Sequence, residues 1–305
     1  MQIVTYKELK AKEGLLPVLD HAFRWPFIQR TFEDFVKKDP RSKDSPIGFC
    51  AVENDWPVGF VGVMNLSTRT LDGTAERVGG IFGVATLPSH ARKGVSTALM
   101  NRAHQHFEEK GFRFSFLTTS QTYVAHAFYE KLGYTDVTQY PSAYKTFARK
   151  KPEPSRTAGK QKMDFDRMLA IYNEYVKGRT GFVIRDVDHL KMLKKREHIT
   201  ARQCTIDEKG YAVFKKDNEG VWVKELIALD VNTMKTLVSR MEEQARDVVY
   251  DRTVLDDALL RVYEGRGYMI HRKSHAVLMA KPLSANASFK QTYGDRFYMA
   301  ALDWF

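Results

Sequence analysis

The sequence predicts an α/β (α+β) fold built as two successive units. Three observations predict it. Apolar strand-like runs alternate with runs of helical period in both halves. A polar, proline-bearing stretch divides the chain near its middle. Short segments of one half return in the other at the same place in the order of elements.

In the first half, apolar runs at 48–53, 58–66 and 78–87 read as strands. Residues 94–110 have helical period, and Gly111 marks their C-terminal stop. A strand at 112–119 and a helix at about 121–132, closed by Gly133, follow, with a further strand near 143–148. Residues 149–162 (RKKPEPSRTAGKQK) hold two prolines, one glycine and six basic residues, and cannot bury a face. In the second half, 163–176 and 186–198 read as helices, 210–215 and 221–229 as strands, and 231–246 as a helix. A strand at 247–250, a helix near 254–264 and a strand at 274–281 complete it. YEKLGY at 129–134 matches YEGRGY at 263–268, and GFVGV at 59–63 matches GYAVF at 210–214. These marks give a first domain at 1–150, a second at 151–283 and a tail at 284–305.

The 305 residues are 43% hydrophobic and 12% aromatic, which excludes a disordered chain. No run of roughly 18 apolar residues is present, so a membrane span is not expected, and the charged opening MQIVTYKELKAKEG does not read as a signal peptide. Two distant cysteines, Cys50 and Cys204, predict buried thiols in a cytoplasmic protein and no disulfide framework. The net charge of +11 divides evenly, with 20 basic against 15 acidic residues in 1–150 and 28 against 22 in 151–305. Nucleic-acid binders concentrate such an excess in a patch, so no nucleic-acid partner is expected.

The stretch with chemical content is Val84 to Thr97, VATLPSHARKGVST. A strand ends at Pro88, a basic loop with His90, Arg92 and Lys93 follows, and Gly94 opens an amphipathic helix. A helix N-terminus presents unpaired N–H groups and a partial positive charge, so loop and helix together form a seat for a pyrophosphate. Pro88 has no N–H to continue a sheet, which is expected to leave backbone groups of Val84, Ala85 and Thr86 open to a ligand.

These residues resemble the acyl-CoA motif of the GNAT N-acyltransferases. The second signature, Thr122-x-x-Ala125-x-x-Phe128-Tyr129-Glu130-Lys131-x-Gly133-Tyr134, resembles the helix that follows in that family, with Thr122 in place of Asn. PSHARKG and the tandem layout are most similar to the Eis-type acetyltransferases. Two departures stand out: Ala91 replaces the usual Arg or Gln, and Ser96 replaces the second Gly. Only 24 residues follow Lys281, too few for the sterol-carrier-like third domain of that type.

The resemblance implies a tandem GNAT-like fold, each domain with a mixed, mostly antiparallel sheet flanked by helices. It implies acetyl-CoA as acyl donor, held by Val84, Ala85, Thr86, Arg92, Lys93, Gly94, Val95, Ser96, Thr97, Thr122 and Phe128, with a primary amine attacking the thioester directly. Tyr129 is then the acid that protonates the thiolate, and a backbone N–H near Val84 to Thr86 serves the oxyanion. Tyr129 and Phe128 lie about 100° apart on their helix, so both facing one core is awkward. Tyr134 reads as strand packing. The base is open between the carboxylate of Phe305, in the aromatic-rich tail YGDRFYMAALDWF, and Glu76 or water. His104 and His106 do not share a helix face, His90 reads as a phosphate or solvent contact, and no metal site is expected. The second half lacks the seat, because Asp230 and no basic loop or glycine precede its helix, so it is expected to wall the acceptor site without binding CoA. The alternative is a CoA-binding sensor that has lost turnover. The acceptor, a small-molecule or protein amine, and any homo-oligomer are left open.

Overall fold

The run VGFVGV has apolar side chains on both faces of its strand because both faces are covered. One face meets a helix at Val95–Glu109, and the other meets a helix at Leu15–Phe23. The computed structural model describes residues 1–24, 27–148, 163–216, 220–273 and 275–304. The linker at 149–162 and Phe305 lie outside them.

The strands in chain order are β1 (Gln2–Thr5), β2 (Gly48–Glu53), β3 (Trp56–Arg69), β4 (Ala75–Thr86), β5 (Phe114–Ser120), β6 (Thr135–Gln139) and β7 (Ser142–Thr146). They continue with β8 (Cys204–Ile206), β9 (Gly210–Lys216), β10 (Val221–Ala228), β11 (Val248–Asp251), β12 (Met269–His271) and β13 (Ala276–Pro282). The helices are α1 (Leu15–Phe23), α2 (Gln29–Val36), α3 (Val95–Glu109), α4 (Val124–Lys131), α5 (Phe165–Tyr175), α6 (Val187–Arg196), α7 (Val231–Gln244), α8 (Asp257–Gly265) and α9 (Phe289–Tyr293).

The strands form two mixed sheets, ordered β1-β2-β3-β4-β5-β13-β6 and β12-β7-β11-β10-β9-β8. Each has an antiparallel pair feeding one parallel pair, β3-β4-β5 in the first and β9-β10-β11 in the second. The matched pentamers lie on β3 and β9, and the matched hexamers at the ends of α4 and α8. The last strand of each half is exchanged. β13 enters the first sheet between β5 and β6, while β7 enters the second between β11 and β12. Composition gives no sign of the exchange, since β7 and β13 read as ordinary strands whichever sheet receives them. The short β1, β6, β8 and β12 and the helices α1, α2 and α9 were also not legible.

A buried ion cluster fastens the tail to the second sheet. Arg185 meets Glu225 at 2.7 Å and Asp303 at 2.6 Å, with all three side chains sealed from solvent. His189 Nε2 lies 3.1 Å from Asp303, and Tyr211 donates to Glu225 at 2.7 Å. Burial would push the Asp303 carboxyl up, but Arg185 and His189 outweigh it and hold the group well below the usual carboxylate range. Arg41 adds a bond to the Asp303 carbonyl at 3.2 Å, tying the first half to the same point.

Candidate active site

The first sheet opens at its parallel pair. β4 and β5 are in register only at Gly79↔Ser115 and Gly80↔Phe116. Beyond that, β5 stays paired to β13 on its other edge, and β4 stays paired to β3 as far as Thr86↔Gly59. The facing edges of 81–86 and 117–120 therefore part, leaving backbone donors and acceptors pointing into the gap. A bulge sharpens the turn. Phe60 pairs with Ala85 and Gly62 with Phe82, so Val61 stands opposite both Gly83 and Val84. Gly83 has φ 60, the left-handed conformation glycine adopts without strain. Pro88 is not what opens Val84 to Thr86, because Leu87 N–H still donates to the Val58 carbonyl at 2.9 Å. The opening lies on the β5 side and comes from strand divergence.

α3 begins beside this gap. Arg92 and Gly94 both take positive φ, 61 and 79, and curl the loop into the helix. Gly94 is the N-cap and supplies no side chain to the first turn, so the N–H groups of Val95, Ser96 and Thr97 have no intrahelical partner. A Cβ at Gly94 would meet nothing within 4 Å, so its role is conformational. Val95, buried, presses on Gly59, where a Cβ would come within 2.8 Å of the valine methyl. Thr86 Oγ1 and Ser96 Oγ are 2.8 Å apart and join the end of β4 to α3. Arg92 and Lys93 are exposed and form no ion pair among the described residues. The seat is therefore uncapped and positively charged.

Tyr129 on α4 is 8% exposed and packs against Phe128 and Tyr134, with ring centroids 5.4 and 6.0 Å away. Its hydroxyl has no hydrogen-bond partner among the described residues and is not sealed from solvent. Burial pushes its pKa up to about 12, so it stays protonated through the neutral range. Phe128 and Tyr129 both reach the same apolar cluster, their rings in contact at a 54° tilt, so their separation of about 100° around the helix does not divide them. Tyr134 is a packing residue, its hydroxyl held by Ser115 at 2.6 Å and His104 at 2.9 Å. Thr122 is exposed and bonds Ser120 at 2.8 Å in the turn between β5 and α4.

Two expectations need correction. Glu76 sits at the opposite end of β4 and is engaged by Arg113. It lies eight residues from Val84, roughly 26 Å of extended chain at about 3.3 Å per residue, and cannot act at the gap. His90 meets Glu53 at 2.7 Å rather than standing ready for phosphate. His104 and His106 are both buried on α3. No cluster of three or more metal-ligating side chains occurs among the described residues, and no described helix is long and apolar enough to cross a membrane.

The corresponding points of the second sheet are closed. The Asp230 carboxylate caps α7 by accepting from Thr233 N–H at 2.8 Å. Tyr263, in the place of Tyr129, is fully buried and donates to Asp251 at 3.1 Å.

A cavity of about 590 Å³ faces the gap from the side opposite α3. Phe82 and Gly83 form its floor, α2 one wall, and the end of α6 another. Arg196 on that wall donates to the Trp304 carbonyl at 2.9 Å and to the Leu302 carbonyl, so the tail backs the cavity. Sequence reasoning missed Phe82 and Gly83, although a lone glycine inside an apolar strand is the ordinary mark of a bulge.

Residues 13–134 match the family model of the acetyltransferase (GNAT) family. No curated protein matches the sequence. Among solved structures, a GCN5-related N-acetyltransferase from Kribbella flavida superposes with a TM-score of 0.70 at 18% identity, covering 93% of this chain and 72% of that one. Eis1 from Mycobacterium abscessus gives a TM-score of 0.61 at 16% identity, covering 93% and 74%. A protein of Enterococcus faecalis described as a probable N-acyltransferase gives 0.65 at 15%, covering 92% and 72%. At these identities the superpositions establish the fold.

Proposed function

We propose that this chain, whose residues 13–134 match the acetyltransferase (GNAT) family model, transfers the acetyl group of acetyl-CoA to a primary amine. The observation that carries the reading is the β4–β5 gap, flanked by the uncapped N-terminus of α3 and the unpaired Tyr129 hydroxyl. The pyrophosphate rests on the N–H groups of Val95, Ser96 and Thr97, with Arg92 and Lys93 beside it. Val84, Ala85 and Thr86 lie along the pantetheine and the thioester, and Thr122 and Phe128 border it on the α4 side.

The amine nitrogen attacks the thioester carbonyl, forming the C–N bond. A backbone N–H of β4 at the gap stabilises the oxyanion. The C–S bond then breaks, Tyr129 gives its proton to the thiolate, and the amine proton leaves to water. Holding donor and acceptor together contributes several kcal/mol to the rate. With the seat closed by Asp230 and Tyr263 bound to Asp251, the second half holds no CoA and walls the acceptor side. This layout supports an Eis-type tandem arrangement.

Calorimetric titration with acetyl-CoA, followed by amine-dependent release of free thiol, tests the reading. The expected results are one equivalent bound per chain and thiol release that requires an amine. No binding overturns the function, and two equivalents overturn the assignment of the second half.

A further inference from the structure

The two faces of the first sheet carry different apolar clusters. α3 and α4 cover one, while α1 and α2 cover the other. The cavity lies on the α1–α2 face and the CoA seat on the α3 face, and its floor, Phe82–Gly83, directly precedes Val84 at the gap. A molecule in the cavity therefore reaches a thioester through the one place where the sheet is split.

The walls of this cavity are mainly hydrocarbon. Phe23 and Ile28 stand exposed at 48% and 60%, while Phe32, Phe35, Met64 and Phe82 continue the surface inward. The Phe82 ring lies flat on Gly62, where a Cβ would come within 2.3 Å of it, so that wall has no room to move back.

Among the charged side chains of the lining, Arg41, Lys195 and Arg196 outnumber the carboxylates Asp34 and Asp39. Asp39 is buried and committed to Arg41 at 2.8 Å. Arg196 is committed to the tail carbonyls and to Glu197 at 3.2 Å. Asp34 is then the one lining carboxylate outside an ion pair among the described residues, and it faces Lys195. Lys195 touches Lys38, and that contact lowers its affinity for a proton.

We infer that this cavity selects an amine carried on an apolar body with no second cationic centre. The inference rests on the acetyltransferase reading above. An alkyl or aryl body displaces water from the phenylalanine walls. A second ammonium meets Lys195 and the partly buried Arg196, and the one carboxylate outside an ion pair, Asp34, already faces Lys195. The lone reacting amine escapes this penalty because it gives up its proton before its nitrogen attacks at the gap.

Hexylamine and 1,6-diaminohexane differ only in the second ammonium and make the direct test. Thiol release should give hexylamine a kcat/KM at least tenfold above the diamine. Lys195→Glu should narrow that ratio to about threefold or less. Thr31 is an exposed lining residue on α2, so Thr31→Trp fills the cavity without disturbing the core. It should raise the hexylamine KM at least tenfold and leave the acetyl-CoA KM unchanged. Saturation-transfer NMR on the CoA-loaded protein carries the same comparison without turnover, with signal expected for hexylamine and weaker signal for the diamine. Equal or better use of the diamine overturns the inference and leaves the acetyltransferase reading intact. Thiol release with neither amine counts against that reading, and the NMR comparison still decides the cavity's preference.

Discussion

Replacing Tyr129 by phenylalanine separates catalysis from packing, because the oxygen removed has no hydrogen-bond partner among the described residues. The ring contacts with Phe128 and Tyr134 are retained. Stability should therefore change by no more than about 0.5 kcal/mol, as at sites where no bond or contact is lost. A positioned general acid contributes about 10²–10⁴-fold, so kcat should fall at least 10²-fold, about 2.7 kcal/mol of barrier. With a pKa near 12, roughly one Tyr129 in a thousand is ionised at pH 9. Deprotonation of this acid should therefore cause no decline in the wild-type rate below about pH 10. Thiol release measured from pH 7 to 10 and a thermal melt provide the readouts, with acetyl-CoA affinity measured separately. Tyr263→Phe is the matched control. It strips the buried Asp251 of a donor, which should cost about 1–3 kcal/mol of stability and leave kcat within twofold. A kcat for Tyr129→Phe within threefold of wild type would refute the assignment of the acid.

Glu76→Gln removes one partner of an ion pair whose Arg113 side is 44% exposed. Such pairs contribute about 0–1 kcal/mol, so kcat/KM should stay within twofold, and a tenfold loss in steady-state kinetics would return Glu76 to the base role. Asp303→Asn removes a charge from the sealed cluster with Arg185 and His189. About 3 kcal/mol of stability should be lost at pH 7 in urea melts. Because the folded pKa is depressed, that contribution is present above the unfolded value near 4 and is lost as pH falls below it. The difference between variant and wild type should therefore shrink at pH 3, and an unchanged difference would sink the electrostatic account.

Local signals carried most of what was legible. α3, with Gly94 before it and Gly111 after it, follows from glycine punctuation around an apolar period. Motif spacing singled out Tyr129 and the basic loop, which the fold places on α4 and directly before α3. The gap itself was misattributed to Pro88, because divergence between β4 and β5 depends on strands whose paired residues are 36 apart in sequence and no local rule encodes it. Glu76 looked eligible because sequence distance from Val84 is short, whereas an extended strand turns eight residues into separation rather than proximity. The cavity was invisible for a related reason. Phe32, Phe82 and Arg196 come from two halves of the chain, and only tertiary structure brings them together.

Strand exchange makes the second half part of the site without giving it chemistry. β5 forms one lip of the gap, and seven of its residues pair with β13 from the far end of the chain. Without β13, that lip would be an open edge free to close on β4, and the splay that exposes the backbone would have nothing holding it apart. The same segment leads into the tail, where Tyr293 and Phe297 pack on Phe116 of β5 and Asp303 locks into the Arg185 cluster. On the proposed reading, in which the second half holds no CoA, its contribution to the site is mechanical. It supplies the strand and the anchored tail that keep the first sheet split.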